Sequence, residues 1–253
     1  MISSPDPAFL EVDLGAAARE AGIVAGFTTR AAGNLALDVG DDPARVHARR
    51  EVVAALTGRG VDFAHHVHGT RVLDPQSLDV TPREDAAREP DGDAWCAQAP
   101  AGLGVLAADC LPVLLADPGA GVIGAAHAGR VGLLSGVLTA TIDRMRRRGA
   151  REILAVIGPA ICGRCYEVSP ELAADVAAAG VPVGVSRWGT PALDLPAIAE
   201  RELRGLGADV RTLGWCTLED PRFFSHRSAA RGGGRHAGVI TRAAQSSAPA
   251  KER

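Results

Sequence analysis

The stretch AADCLPVLLADPGAGVIGAAHAG (107–129) constrains the fold of this chain more than any other. Two apolar runs flank a Pro-Gly turn between Asp117 and Gly121, the pattern of a buried β-hairpin. In a hairpin, partner numbers on the two strands sum to a constant. Cys110 and His127 are equidistant from a point between Pro118 and Gly119. A simple register therefore sets their side chains face to face, with Cβ atoms roughly 4.5–5.5 Å apart. A thiolate and an imidazole at that range can share a metal ion or form a Cys–His nucleophile pair. The plainer alternative is core filling, since cysteine is among the most buried residue types. Position weighs against it. Cys110 follows Asp109 at the end of an apolar run, and His127 lies among Ala and Gly just before a helix, where small side chains leave room for a ligand.

Further strands are expected at 22–29, 63–68, 103–108, 152–158 and 208–213, and the hairpin strands at 111–116 and 121–127. Helices are expected at 43–57, 131–148, 170–179 and 195–205. The clearest carries Leu134, Val137, Leu138, Thr141, Ile142 and Met145 at helical spacing and ends at Gly149 after a run of arginines. Strands and helices mix without regular βαβ alternation, and neither G-x-G-x-x-G at a strand-to-helix turn nor a Walker A sequence occurs. The expected fold is a single α/β (α+β) domain over 1–253, with a mixed sheet, flanking helices and a core at about 22–241. Residues 1–8, 81–93 and the tail 243–253 are polar and are expected to be the least ordered parts.

Other segments offer chemistry. In HHVHG (65–69), a strand would turn His66 and His68 to one face and His65 to the other. His68 is the better ligand candidate because Gly69 lets the backbone approach a site, while His65 fits a solvated edge. The C-x-x-C of ICGRCYEV (161–168) is one pair where a zinc ribbon needs two, which makes it a weak signal. Around the glycine run of 223–238, Arg227, Arg231 and Arg235 can cradle an anion, or can lie on a plain surface loop.

The formal net charge of -3 argues against a general nucleic-acid binder. Apolar runs are cut at Asp109 and Asp117, well short of the roughly 20 residues that span a bilayer. The N-terminus lacks a basic segment followed by an apolar one, so no signal peptide is expected. Five cysteines, an odd number, fit reduced thiols in a cytoplasm. The expectation is a cytoplasmic monomer that binds no nucleic acid and no membrane.

Taken together, HHVHG, ADCLPVLLAD, AAHAGRVG, IGPAICGRCYEV, the Asp-Leu segment at 193–195, WCT, FFSHR and GRHAG occur in the order of the laccase-domain, or YfiH-type, proteins. TTRAAGNLALDVGDDPARVHARR (28–50) resembles that family's N-terminal signature, so the resemblance covers about residues 22–241. It implies a single α/β domain with a mixed sheet. It also implies zinc-dependent phosphorolysis of adenosine, inosine and methylthioadenosine with phosphate, an adenosine deaminase activity, and a link to peptidoglycan editing. The family's His–Cys–His metal site lands on His68, Cys110 and His127. Three ligands leave one tetrahedral position open, as in catalytic zinc sites. Copper is expected to bind such a donor set in vitro by the Irving–Williams order. On this view Cys110, His68, His127 and Asp109 are catalytic, with Asp109 orienting water or moving a proton. Arg30, Arg130, Arg227 and Arg235 are the candidates for holding substrate and phosphate.

Three positions depart from the family pattern: His66 stands for the usual Gln, Arg130-Val131 for Trp-Arg, and Ala48 for Asn. Rival functions remain. His127 activating Cys110 would make a metal-free hydrolase. A copper phenol oxidase needs many H-x-H pairs, and among seven histidines only His66-Val67-His68 forms one. A non-enzymatic partner in cell-wall assembly is a further alternative.

Overall fold

A computed structural model describes residues 6–77, 89–98, 100–228 and 233–244. Most of the expected stretch at 81–93, most of the tail at 243–253 and Arg231 therefore lie outside the described residues. The chain folds into two facing β-sheets flanked by helices. Strands β1 (Phe9–Glu11), β2 (Ile23–Thr28), β5 (Ala101–Ala107) and β12 (His236–Arg242) form an antiparallel sheet in the order β1-β2-β12-β5. The second sheet is mixed and six-stranded. It comprises β3 (Val72–Leu73), β4 (Ala94–Ala97), β6 (Leu111–Asp117), β7 (Val122–Ala128), β8 (Leu154–Ile157) and β11 (Asp209–Thr212), in the order β11-β8-β6-β7-β4-β3. A small β9 (Gly184–Val185) and β10 (Pro191–Ala192) pair separately.

Alternation along the central hairpin explains the layers. Leu111, Val113 and Leu115 of β6 and Val122, Ala126 and Ala128 of β7 pack against helices α4 (Val137–Arg147) and α6 (Leu195–Gly205). Leu114, Ala116, Ile123 and Ala125 turn the other way and meet Phe27, Leu103, Val105 and Ile240 between the sheets. Strands buried on both faces read as continuous apolar runs, as β5 to β7 do. The outer face of the four-stranded sheet is covered by Leu35, Phe63 and Val53 of helix α2 (Pro43–Thr57). Each such fully buried aliphatic side chain contributes about 1.5–3 kcal/mol relative to exposure. Helices α1 (Ala16–Glu20), α3 (Arg130–Leu134) and α5 (Pro170–Ala178) complete the set.

Several expectations are corrected. The helix expected at 131–148 is two helices, α3 and α4, because Gly136 adopts φ 92 and breaks the ladder. Leu134, assigned to the apolar stripe, is consequently exposed, and the buried face starts at Val137. No strand forms at 63–68; the backbone makes only isolated bridges at Asp62 and His65. Strands β4 and β12 were not expected. β12 carries Gly238 and follows a glycine-rich stretch, which hides it in the sequence, yet it lies inside its sheet between β2 and β5.

The hairpin exists, but its register differs. Pro112 faces His127 and Leu111 faces Ala128, so partner numbers sum to 239 and not 237. The turn takes four residues, 118–121, held by the Asp117 carboxylate accepting the Ala120 amide at 2.9 Å. Cys110 therefore lies just before β6, diagonal to His127 and not opposite it. Long side chains still reach across such a diagonal.

Candidate metal centre

His127 is the residue next to the end of β7 and is buried, on the side of the strand that faces the gap between the sheets. Cys110 occupies the tight link between β5 and β6, where Asp109 takes φ 89. His68 comes from the loop at 63–71 and itself has φ 59. Two non-glycine residues held at positive φ in one site mark a backbone fixed by its surroundings.

Asp93 does much of that fixing. It is fully buried immediately before β4. Its Oδ1 accepts the His68 amide at 2.9 Å and the Nδ1–H of His127 at 2.9 Å. Its Oδ2 accepts the amides of Gly69 at 2.7 Å and Val67 at 3.3 Å. The loop thus curls around one carboxylate, which is why it is not a strand. Burial raises the Asp93 pKa, but the bonds from His127 and Gly69 outweigh it and hold the group below the ordinary carboxylate value of 3.8. A carboxylate on Nδ1 leaves Nε2 of His127 as the free nitrogen, the arrangement usual behind a metal-bound imidazole.

The donor atoms of His68, Cys110 and His127 lie within 4.8 Å of one another. Cys110 Sγ is 3.9 Å from His68 Nε2, and the His68 and His127 rings meet edge to face at 4.9 Å. Burial would raise the Cys110 thiol, yet hydrogen bonds from His127 and His68 win and bring it down to about 6. The same contacts reach His127: burial lowers it, while Asp93 and Cys110 raise it to about 9. Both shifts run in the direction that favours a thiolate beside an imidazolium when no ion is bound. Two imidazoles and a thiolate are the ligand types of zinc sites, so these residues fit a metal. Space around them is tight. A Cβ at Gly129 would sit 2.7 Å from His68 Cδ2 and 3.0 Å from Cys110 Sγ.

His66 is not a further ligand, although it groups with Asp93 and His127. Its Nε2 accepts the Leu106 amide at 3.0 Å and its Nδ1–H donates to the Gly92 carbonyl at 3.1 Å. It stacks on His127 at 4.3 Å, and burial pushes its pKa to about 3. One donor and one acceptor are also what a glutamine amide offers. His65 is bonded to Asp91 at 2.9 Å.

The site floors a cavity of about 410 Å³ whose wall includes Asp109, Tyr166, His226, Arg227 and Arg235. Asp109 Oδ1 accepts the Thr217 hydroxyl at 2.6 Å and Oδ2 accepts the Arg227 amide at 2.7 Å, so the carboxylate also ties loops together. The Arg227 guanidinium lies over the Tyr166 ring at 4.9 Å and bonds the Glu167 carbonyl. Arg235 is anchored by its amide to Asn34. The other two arginines named from the sequence are elsewhere. Arg30 lies over Phe224 at 4.9 Å and Arg130 opens α3, and neither lines this cavity. Sequence reasoning missed Asp93, Tyr166 and His226. Asp93 stood in a run of acidic and basic residues that looked solvated, and only its burial sets it apart.

The family model described as multi-copper polyphenol oxidoreductase laccase matches residues 14–243. A purine nucleoside phosphorylase of Streptomyces griseus, ORF3, is 46% identical over 218 residues, which are 82% of this chain and 85% of that protein. The purine nucleoside phosphorylase SCO2081 of Streptomyces coelicolor is 42% identical, covering 85% of this chain and 93% of its own. Among solved structures, the hypothetical protein YfiH of Bacillus licheniformis superposes with a TM-score of 0.80 at 26% identity, over 94% of this chain and 97% of that one. The Neisseria meningitidis protein NMB0706 gives 0.77 at 31% identity, over 94% and 100%.

Proposed function

Because the chain belongs to the multi-copper polyphenol oxidoreductase laccase family, whose YfiH-type fold it shares, we propose that it is a zinc-dependent purine nucleoside phosphorylase. Adenosine, inosine and methylthioadenosine are its proposed substrates, with adenosine deamination as a second activity and the cytoplasm as its place, as a monomer. The observation that carries this is the triad of His68, Cys110 and His127, fixed by Asp93 at the floor of a nucleoside-sized cavity. A bound zinc ion would supply Lewis acidity there, and copper would compete for the same donors in vitro. Arg227 and Arg235 hold phosphate as it attacks the ribose C1′ and the base leaves. Asp109, fixed by Thr217 and Arg227, orients water for attack on the purine C6 and moves its proton. His66 is committed to Gly92 and Leu106, so the one H-x-H pair does not act as a pair of copper ligands.

The test is incubation of metal-replete protein with each nucleoside, with and without phosphate, while free base and ammonia are followed. Base should appear only with phosphate, and Cys110→Ala should abolish it with the fold retained. Release at the same rate without phosphate would identify a hydrolase instead. That second reading has its own support in the thiolate–imidazolium pair of Cys110 and His127. Covalent labelling of Cys110 in zinc-loaded protein would favour it.

A further inference from the structure

A second group of donors lies outside the cavity. Cys162, Cys165, Cys216 and Glu219 bring one ligand atom each to within 4.8 Å of all the others. Two turns deliver them. Cys162-Gly-Arg-Cys165 folds back so that the amides of Cys165 and Tyr166 bond the Cys162 carbonyl, at 2.9 and 3.0 Å. Cys216-Thr-Leu-Glu219 folds likewise, with the amides of Glu219 and Asp220 on the Cys216 carbonyl. The sequence offered one C-x-x-C pair; the fold supplies a C-x-x-E pair opposite it. Parallel bridging of Ala160 with Cys216 holds the two turns together.

These cysteines are not placed as mere core filler. The Cys162 amide points at Cys216 Sγ at 3.5 Å. Arg187 Nη2 is 3.0 Å from Cys165 Sγ. Donors aimed at sulfur stabilise a thiolate, as outer-shell groups do around ligand sulfurs. Charge agrees. Three thiolates and a carboxylate around a dication leave two negative charges, and Arg164 and Arg187 both pair with Glu219, at 3.4 and 3.1 Å. Cys162 is partly exposed and Glu219 lies at the surface, which gives an ion a way in.

We propose that Cys162, Cys165, Cys216 and Glu219 form a second, structural site for a zinc-type divalent cation. It joins the turns at 162–165 and 216–219. Cys165 precedes Tyr166, and Cys216 precedes Thr217, whose hydroxyl holds Asp109. The ion therefore braces one wall of the cavity without touching the reacting atoms. Four ligands close the coordination sphere, as in structural zinc sites.

Elemental analysis of protein expressed in zinc-containing medium tests this. Wild type should carry about two equivalents and Cys110→Ala about one. The pair Cys162→Ser with Cys165→Ser should lose one equivalent and bind nucleoside with a raised KM. Without any variant, a thiol reagent should modify Cys162, Cys165 and Cys216 in native protein only after chelation. One equivalent in wild type that vanishes in Cys110→Ala overturns the proposal, as does a native disulfide between Cys162 and Cys165 found by peptide mass. One equivalent in wild type that persists in Cys110→Ala would support this site and sink the catalytic one.

Discussion

Replacing Asp93 by Asn tests whether one buried carboxylate organises the metal centre. Asp93 has no exposed surface and receives four hydrogen bonds, two on each oxygen. Asparagine offers one oxygen and one amide. With its oxygen toward His68 and His127, the amide hydrogens confront the Gly69 and Val67 amides. Losing the 2.7 Å bond from Gly69 and the weaker one at 3.3 Å from Val67 costs about 2–4 kcal/mol, at about 1.5–3 kcal/mol for a good bond to a charged group. With the amide toward His127 instead, the imidazole must carry its proton on Nε2, and the lone pair needed for a metal is gone. Either rotamer should weaken zinc about 10–100-fold, as removal of such partners does. That is about 1.4–2.7 kcal/mol. Competition with a chelator measures the affinity, and urea denaturation of the metal-free protein measures the stability. Wild-type zinc affinity in a folded Asp93→Asn protein would refute the role assigned to this carboxylate.

Gly129→Ala is expected to weaken zinc at least about tenfold with little change in unfolding midpoint, because φ −70 suits alanine while the new methyl meets His68 and Cys110. Zinc affinity equal to wild type would show that the triad yields to that methyl. In metal-free protein, thiolate ultraviolet absorbance from Cys110 should titrate near pH 6, not near the ordinary 9.0. The folded pKa is the lower one, so the thiolate's contribution to stability is complete above 9.0 and is lost as the pH falls through about 6; absorbance rising only near 9.0 would contradict the ion pair. Arg227→Ala should raise the KM for phosphate about tenfold or more, with a smaller effect on zinc content, and an unchanged KM would remove Arg227 from phosphate binding.

The sequence alone determined the parts whose information is local. The β6–β7 hairpin, helices α2, α5 and α6, the buried strands β2, β5 and β8, and the edge strand β11 follow from apolar periodicity and turn residues, which act over a few neighbouring positions. Cys110 and His127 emerged as a pair because one hairpin carries both. The metal centre's remaining parts depend on segments far apart in the chain, and only the tertiary structure decided them. His68 meets Cys110 through a loop wrapped on Asp93, 25 residues further along, and that contact is a matter of one buried carboxylate satisfying amides, not of periodicity. The hairpin register was decided by the four-residue turn at 118–121, which a sum rule centred on the Pro-Gly step misplaces by two. Cys216 joins Cys162 and Cys165 only because β8 and β11 run parallel and continue into a bridge at Ala160. A parallel pairing has no short connecting turn to announce it, so the chain's linear order carries no mark of that second cluster.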